Sequence, residues 1–99
     1  MADLRIEWDA AKARANLRKH GITFDEAETA FSDDYALLIH DPDHSTVEEE
    51  RLVLIGMSVA VRVLVVVHCE RDKRNTIRLI SARRATRSER AQYDARLKL

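Results

Sequence analysis

Seven arginines and one lysine fall between residues 71 and 90, against two acidic residues, Asp72 and Glu89. A guanidinium is a planar two-pronged donor that fits phosphate and carboxylate oxygens and stays charged at physiological pH. The chemistry it suits is the binding of an anion, or the stabilisation of charge that develops on one. The chain as a whole is neutral, with 17 basic and 17 acidic residues. Its halves are not: residues 1–50 carry 5 basic and 13 acidic side chains, and residues 51–99 carry 12 and 4. A basic half of this kind addresses nucleic acid first and an acidic protein surface second.

Strand parity divides these cations. If residues 71–74 make a four-residue turn between two strands, Glu70 lies opposite Asn75, His68 opposite Ile77, Leu64 opposite Ser81 and Arg62 opposite Arg83. Paired residues share a face. Arg62, Ser81 and Arg83 then meet at one end of the hairpin, with His68 and Glu70 at the other. A one-residue change in the turn flips this pairing. Arg78 has the opposite parity and lies on the other face unless a bulge intervenes. The competing reading makes these arginines solvated edge charges, or partners for the acidic N-terminal half.

Other groups that could move protons or touch a ligand are fewer. His20 ends a predicted helix, where the dipole favours its protonated form and a role as acid or phosphate contact; the alternative is a half-buried histidine beside Leu17. Tyr93 is either a core anchor or a ring that stacks on a base. Glu89 has a local task in a capping box. His40, Asp41, Asp43 and His44 cluster in sequence, but Pro42 interrupts them and a third fixed ligand is lacking, so no metal site is expected. Cys69 is the only cysteine, and its valine-rich context reads as a buried strand thiol. There is no glycine-rich phosphate loop and no zinc-finger spacing.

The elements that position these groups follow from period and caps. Leu4 to Trp8 alternates and reads as a strand. Asp9 caps a helix over Ala10–His20, closed by Gly21 at C′. On that helix Ala13, Leu17 and His20 are expected inward, and Lys12, Asn16 and Lys19 on a polar face. Thr23 and Glu26 form a capping box for a second helix that turns Phe24, Ala27, Ala30 and Phe31 to the core. Strands follow at residues 35–40, 50–56, 61–70 and 75–83. The five apolar residues 63–67 mark a central strand covered on both faces. Thr86 and Glu89 form a second capping box opening a final helix with Arg90, Tyr93 and Leu97 along one face. The order is β-α-α-β-β-β-β-α. The fold class is α+β: an antiparallel sheet with two N-terminal helices on one face and a C-terminal helix at an edge.

Ninety-nine residues make one domain, residues 1–99. No N-terminal apolar run suggests a signal peptide, and the stretch 52–67 is too short and interrupted to span a bilayer. The expected compartment is the cytoplasm.

Read together, the segments resemble the BrnT family of bacterial toxins. The matching words are Trp8-Asp9 with Lys12, Asn16-Leu17 and Lys19-His20-Gly21; Phe24 with Glu26-Ala27 and Phe31; Glu49-Glu50-Arg51 with Ile55-Gly56; and Arg78-Leu79-Ile80-Ser81-Ala82-Arg83 with Ala85, Glu89-Arg90 and Tyr93. They span nearly the whole chain in family order. Arg84 adds a charge inside the last word, and residues 41–50 are too generic to align. The resemblance implies a RelE-like fold and a metal-independent endoribonuclease without a cofactor. It also implies a ribbon-helix-helix antitoxin resembling BrnA, in a two-plus-two complex that meets operator DNA only through the antitoxin.

Cleavage of RNA without a metal needs the 2′-OH aligned with the phosphate, charge stabilised on the phosphoryl oxygens, and protons moved. The expected catalytic set is Arg83 as main phosphate clamp, assisted by Arg62, with Ser81 on the same face and His20, His68 or Glu70 as proton-transfer candidates. Lys12, Lys19, Arg78, Arg84, Arg90 and Tyr93 are expected to contact RNA, in single-stranded form. The rival expectation is a non-catalytic module that binds nucleic acid or an acidic protein through the basic half.

Overall fold

A computed structural model of the chain describes residues 4–46, 49–71 and 75–98. The elements are β1 (Arg5–Glu7), α1 (Ala10–His20), α2 (Phe24–Thr29), β2 (Leu37–His40), β3 (Glu49–Met57), β4 (Val63–Arg71), β5 (Thr76–Arg84) and α3 (Arg87–Leu97). Single 3₁₀ turns at Ala30–Ser32 and Pro42–His44 join them. The expected order therefore holds. The turn placed at residues 71–74 lies mostly outside the described residues; the backbone of Arg71 continues β4.

One five-stranded sheet carries the order β1-β5-β4-β3-β2. Strands β2 to β5 form the expected antiparallel meander. β1 corrects the expectation of a purely antiparallel sheet, because it pairs with β5 in parallel, Ile6 opposite Ile77. Only strands joined by hairpins are obliged to run antiparallel. β1 and β2 occupy opposite edges of the sheet, and α1 and α2 make the crossing between them.

Local signals explain the helix limits. The Asp9 carboxylate accepts from the Lys12 N–H at 3.0 Å, and Gly21 closes α1 at φ 71°, donating to the Leu17 carbonyl. The Thr23 hydroxyl caps α2 by accepting from the Glu26 N–H at 3.1 Å. Ile22, Phe24, Ala27 and Ala30 bury against Leu54, Leu64, Val66, Leu79 and Ala82 on one sheet face. The two N-terminal helical segments thus cover that face, as expected. α3 does not sit at an edge. It crosses one end of the opposite face, where Tyr93 packs with Ile55, Val63 and Val65.

The inner face of α1 differs from the periodic reading. Leu17 is 47% exposed, and Asn16 is 6% exposed. β1 pairs only with Thr76 to Arg78, leaving the rest of the β5 edge in need of partners. The Asn16 amide supplies them: Nδ2 donates to the Ala82 carbonyl at 2.8 Å and Oδ1 accepts from the Ala82 N–H at 3.0 Å. Nδ2 also donates to the Ile22 carbonyl at 2.9 Å. A buried amide that does the work of a strand outweighs the hydrophobic term for one leucine.

Candidate functional site

The register between β4 and β5 decides which charges meet. Glu70 lies opposite Ile77 and His68 opposite Leu79, two residues away from the expected pairing. Beyond that, Val67 pairs with Ser81 and Val65 with Arg83, so Ile80 is an extra residue in β5, a β-bulge. The bulge restores Arg78 to the face of Ser81 and Arg83. Their partners Cys69, Val67 and Val65 alternate along β4 and so point the same way. Across β3 the same rows continue through Arg51, Val53 and Ile55.

This face is covered at one end only. Under α3, Ile55, Val63 and Val65 are 2–4% exposed. Further along, Val53, Val67, Ser81, Arg51 and Arg78 are half-buried, and Ile39 on β2 is 42% exposed. An open, slightly apolar surface with three arginines therefore borders the first turn of α3.

Arg83 stands at that border. Its guanidinium forks onto Glu89, Nη1 to Oε1 at 2.7 Å and Nη2 to Oε2 at 2.9 Å. The same carboxylate accepts from the Thr86 N–H at 2.8 Å, and Thr86 accepts from the Glu89 N–H at 3.2 Å. Glu89 thus completes the expected capping box and holds Arg83 as well. The Arg83 guanidinium, more than burial opposes it, pulls the Glu89 carboxyl down to about 2.

Arg62 is elsewhere. It lies outside β4, in the turn after β3, and forks onto Glu26 of α2, Nε to Oε2 at 2.9 Å and Nη2 to Oε1. The Ser58 hydroxyl donates to the same carboxylate at 2.7 Å. Residue 83 faces Val65, not Arg62, so the expected Arg62–Ser81–Arg83 cluster reduces to Ser81 and Arg83. Arg62 is instead a partner of the acidic N-terminal half. Its pull on the Glu26 carboxylate, which is held below its ordinary value, also leaves the first capping box half-formed.

The proton-transfer candidates do not join Arg83. His68 is 1% exposed, its Nδ1 3.1 Å from the Val66 carbonyl and its ring edge-on to Phe31 at 4.9 Å. Burial pushes its imidazole below the usual value, toward the neutral form. His20 is half-buried, and its side chain makes no hydrogen bond among the described residues. Glu70 shares the parity of His68 and so belongs to the α1–α2 face. Tyr93 is 2% exposed and its hydroxyl donates to Asp33 Oδ2 at 2.6 Å. Burial and the Asp33 charge push its phenol up to about 12. Tyr93 is thus a core anchor, and its ring is not free to stack on a base.

Lys12 and Lys19 are exposed on α1, Arg84 at the end of β5 and Arg90 on α3. Among the described residues no cluster of three or more His, Cys, Asp or Glu could hold a metal. His44 Nδ1 lies 2.9 Å from Asp41 Oδ2, and His40 Nε2 3.2 Å from Glu50 Oε1; these are two separate pairs. A groove of about 950 Å³ runs past Phe31, Tyr35, Val59, Tyr93 and Leu97. It contains none of the candidate cations, so volume and charge do not coincide. Charge and hydrogen-bonding capacity locate a phosphate site better than concavity does, because a nucleic-acid strand lies along a surface.

The sequence model of one family, described as the ribonuclease toxin BrnT of type II toxin-antitoxin systems, matches residues 8–89. The chain belongs to the BrnT family. It is thereby a toxin of the type II toxin-antitoxin class with ribonuclease activity. A search of curated proteins found no match. The BrnT match ends at Glu89, so it takes in both arginine–glutamate forks. It also takes in a residue missed as a candidate, Arg51. The signal for Arg51 was available in parity: it alternates with Val53 and Ile55, so an arginine occupies an otherwise apolar row. No helix of the described residues is long and apolar enough to cross a membrane.

Proposed function

We propose that the open face bearing Arg78, Ser81 and Arg83 binds single-stranded RNA and cleaves it internally without a metal. The observation that carries this reading is the bulge at Ile80, which gathers three polar residues of the basic stretch on one accessible face. Arg83 acts on the scissile phosphate. The 2′-oxygen attacks phosphorus, the bond to the 5′-oxygen breaks, and the products are a 2′,3′-cyclic phosphate and a 5′-hydroxyl. The 2′-OH proton leaves to a base and another reaches the 5′-oxygen. Guanidinium donors meet the negative charge that grows on the phosphoryl oxygens between these events.

Glu89 fixes the plane of the Arg83 fork, and an oriented donor needs little reorganisation when the charge develops. With a carboxyl near 2, Glu89 is a weak base and a positioning residue. Arg62, already committed to Glu26, supports the β3–β4 turn. His20 and Glu70 remain candidates for proton transfer only if RNA reaches over the edge of the sheet. A ribbon-helix-helix antitoxin, in a two-plus-two complex, neutralises the toxin in the cytoplasm by covering this face, and contacts the operator itself.

The test is Arg83→Ala, assayed on single-stranded RNA with purified, antitoxin-free protein and a chelator present. Circular dichroism and thermal melting establish that the variant folds. The expected loss is on the order of 10²-fold or more, the usual consequence of removing one such donor. Full activity in the folded variant removes Arg83 from the mechanism. Binding without cleavage by the wild-type chain supports the non-catalytic module instead.

A further inference from the structure

Four arginines of the sheet and its turns divide by partner. Arg62 and Arg83 each fork onto a glutamate. Arg51 and Arg78 have no hydrogen-bonded or ionic side-chain partner among the described residues, although both are half-buried. The Nε of Arg51 is fully buried and unsatisfied. A half-buried cation without a counter-charge is costly, and folded chains seldom keep one without a use for it.

The two unpartnered arginines stand in one row. Arg51 of β3 and Arg78 of β5 both lie opposite Cys69 of β4. Two inter-strand spacings separate their Cα atoms, about 10 Å. Arginine stems are long enough for both forks to meet one tetrahedral anion between them. The backbone of Arg51 is already fixed: its N–H donates to the Ser45 hydroxyl at 2.9 Å, and its carbonyl accepts from the Asp41 N–H at 2.9 Å. Four residues of β4 separate this row from that of Arg83, about 13 Å along the strand.

We propose that Arg51 and Arg78 form a phosphate-anchoring subsite for the RNA strand, separate from the phosphate at Arg83. The bound group is a backbone phosphodiester, read through its charge and not its base. At a rise of about 3.4 Å per stacked nucleotide, the anchored phosphate lies up to about four nucleotides from the scissile one. The proposal rests on the ribonuclease reading for its choice of substrate, but the anion site itself rests on the unpartnered guanidinium groups.

Arg51→Met and Arg78→Met test it in the full antitoxin-free chain. The first probe is a non-cleavable 2′-O-methyl RNA of about a dozen nucleotides, titrated by fluorescence anisotropy across a salt series. Each variant is expected to bind roughly tenfold more weakly at low salt, and the log–log salt slope to fall by about 0.7. The second probe is a cleavable dinucleotide, too short to span the two rows. The loss of kcat/KM on it is expected to be smaller than the loss on long RNA, where KM rises.

The thermal midpoint of both variants is expected at or above that of the wild type, because an uncompensated cation has gone. Unchanged affinity for the long probe overturns the proposal. So does a lowered melting temperature with equal losses on long RNA and dinucleotide, which marks a structural role. Weakened antitoxin binding with unchanged RNA binding also overturns it, assigning the row to carboxylates of a protein. If wild-type protein binds the probe with the predicted dependence on Arg51 but cuts no RNA, the anchor stands and the ribonuclease mechanism falls.

Discussion

Replacing Glu89 by Gln separates the charge of this carboxylate from its other work. The amide oxygen still reaches the Thr86 N–H, and Gln serves at the third position of a capping box as Glu does. The same oxygen still accepts from Arg83 Nη1, so what is lost is the charge of the fork and the 2.9 Å bond from Arg83 Nη2 to Oε2. In the folded chain the Arg83 guanidinium, aided by Thr86, takes the Glu89 carboxyl from 4.5 to about 2. At 1.36 kcal/mol per pKa unit this sets an upper limit of about 3.4 kcal/mol. The arginine side chain is 40% exposed and the glutamate 23%. Water therefore screens the pair, and about 1–2 kcal/mol remains. For a domain of this size the melting temperature should fall by roughly 5–12 °C at pH 7.

The pH dependence gives the sharper check. The folded carboxyl titrates below the unfolded one, so its stabilisation is complete above about 4.5 and is lost as pH falls toward 2. Differential scanning calorimetry of wild type and Glu89→Gln across that range should show a constant gap from pH 7 to about 5. Below that the gap should close as the wild-type carboxylate takes up its proton. A gap that persists unchanged to pH 3, or no gap at pH 7, refutes the assignment of an ionic fork between Arg83 and Glu89.

Two further substitutions probe the frame that holds the site. Asn16→Ala leaves the Ala82 N–H and the carbonyls of Ala82 and Ile22 without their partners; urea denaturation should show a loss of about 3–5 kcal/mol. Gly56→Ala sets a methyl 3.0 Å from the Ala30 carbonyl oxygen and 3.1 Å from the Ala36 Cβ, so the 3₁₀ turn must move; the expected cost, by the same measurement, is about 1–3 kcal/mol.

Much of the fold was legible because its signals are local. Asp9, Thr23, Thr86 and Gly21 mark helix limits through hydrogen bonds within one turn, and the structure keeps each. What was not legible depends on partners distant in sequence. Periodicity places Leu17 inward, but the unpaired edge of β5 recruits Asn16, and only the sheet order reveals that edge. β1 joins β5 in parallel because a helical crossing, not a turn, separates it from β2. In the site, Ser81 and Arg83 share a face as parity alone predicts. Arg62 leaves the cluster because the pairing of β4 with β5 is two residues away from the one a four-residue turn gives, and the bulge adds a third. The same bulge returns Arg78, the exception that strand parity had foreseen.

The division of the arginines into paired and unpaired gives the face two kinds of cation, which suit two different tasks. A guanidinium locked to a carboxylate has little net charge to offer at a distance, so Arg83 with Glu89 is poor at attracting RNA. Its donors are nevertheless fixed in direction, which is what stabilising a charge that appears only in the transition state demands. Arg51 and Arg78 have the reverse character. Neither has a side-chain partner among the described residues, and on the proposed reading their charge draws a polyanion equally in ground and transition states, which lowers KM and leaves kcat alone. The cost of holding them unpaired is carried by the free toxin. On the proposed reading, a chain that folds with an unsatisfied Nε at Arg51 keeps binding energy in reserve for a phosphate, while the chemistry falls to Arg83, whose orientation is fixed in advance.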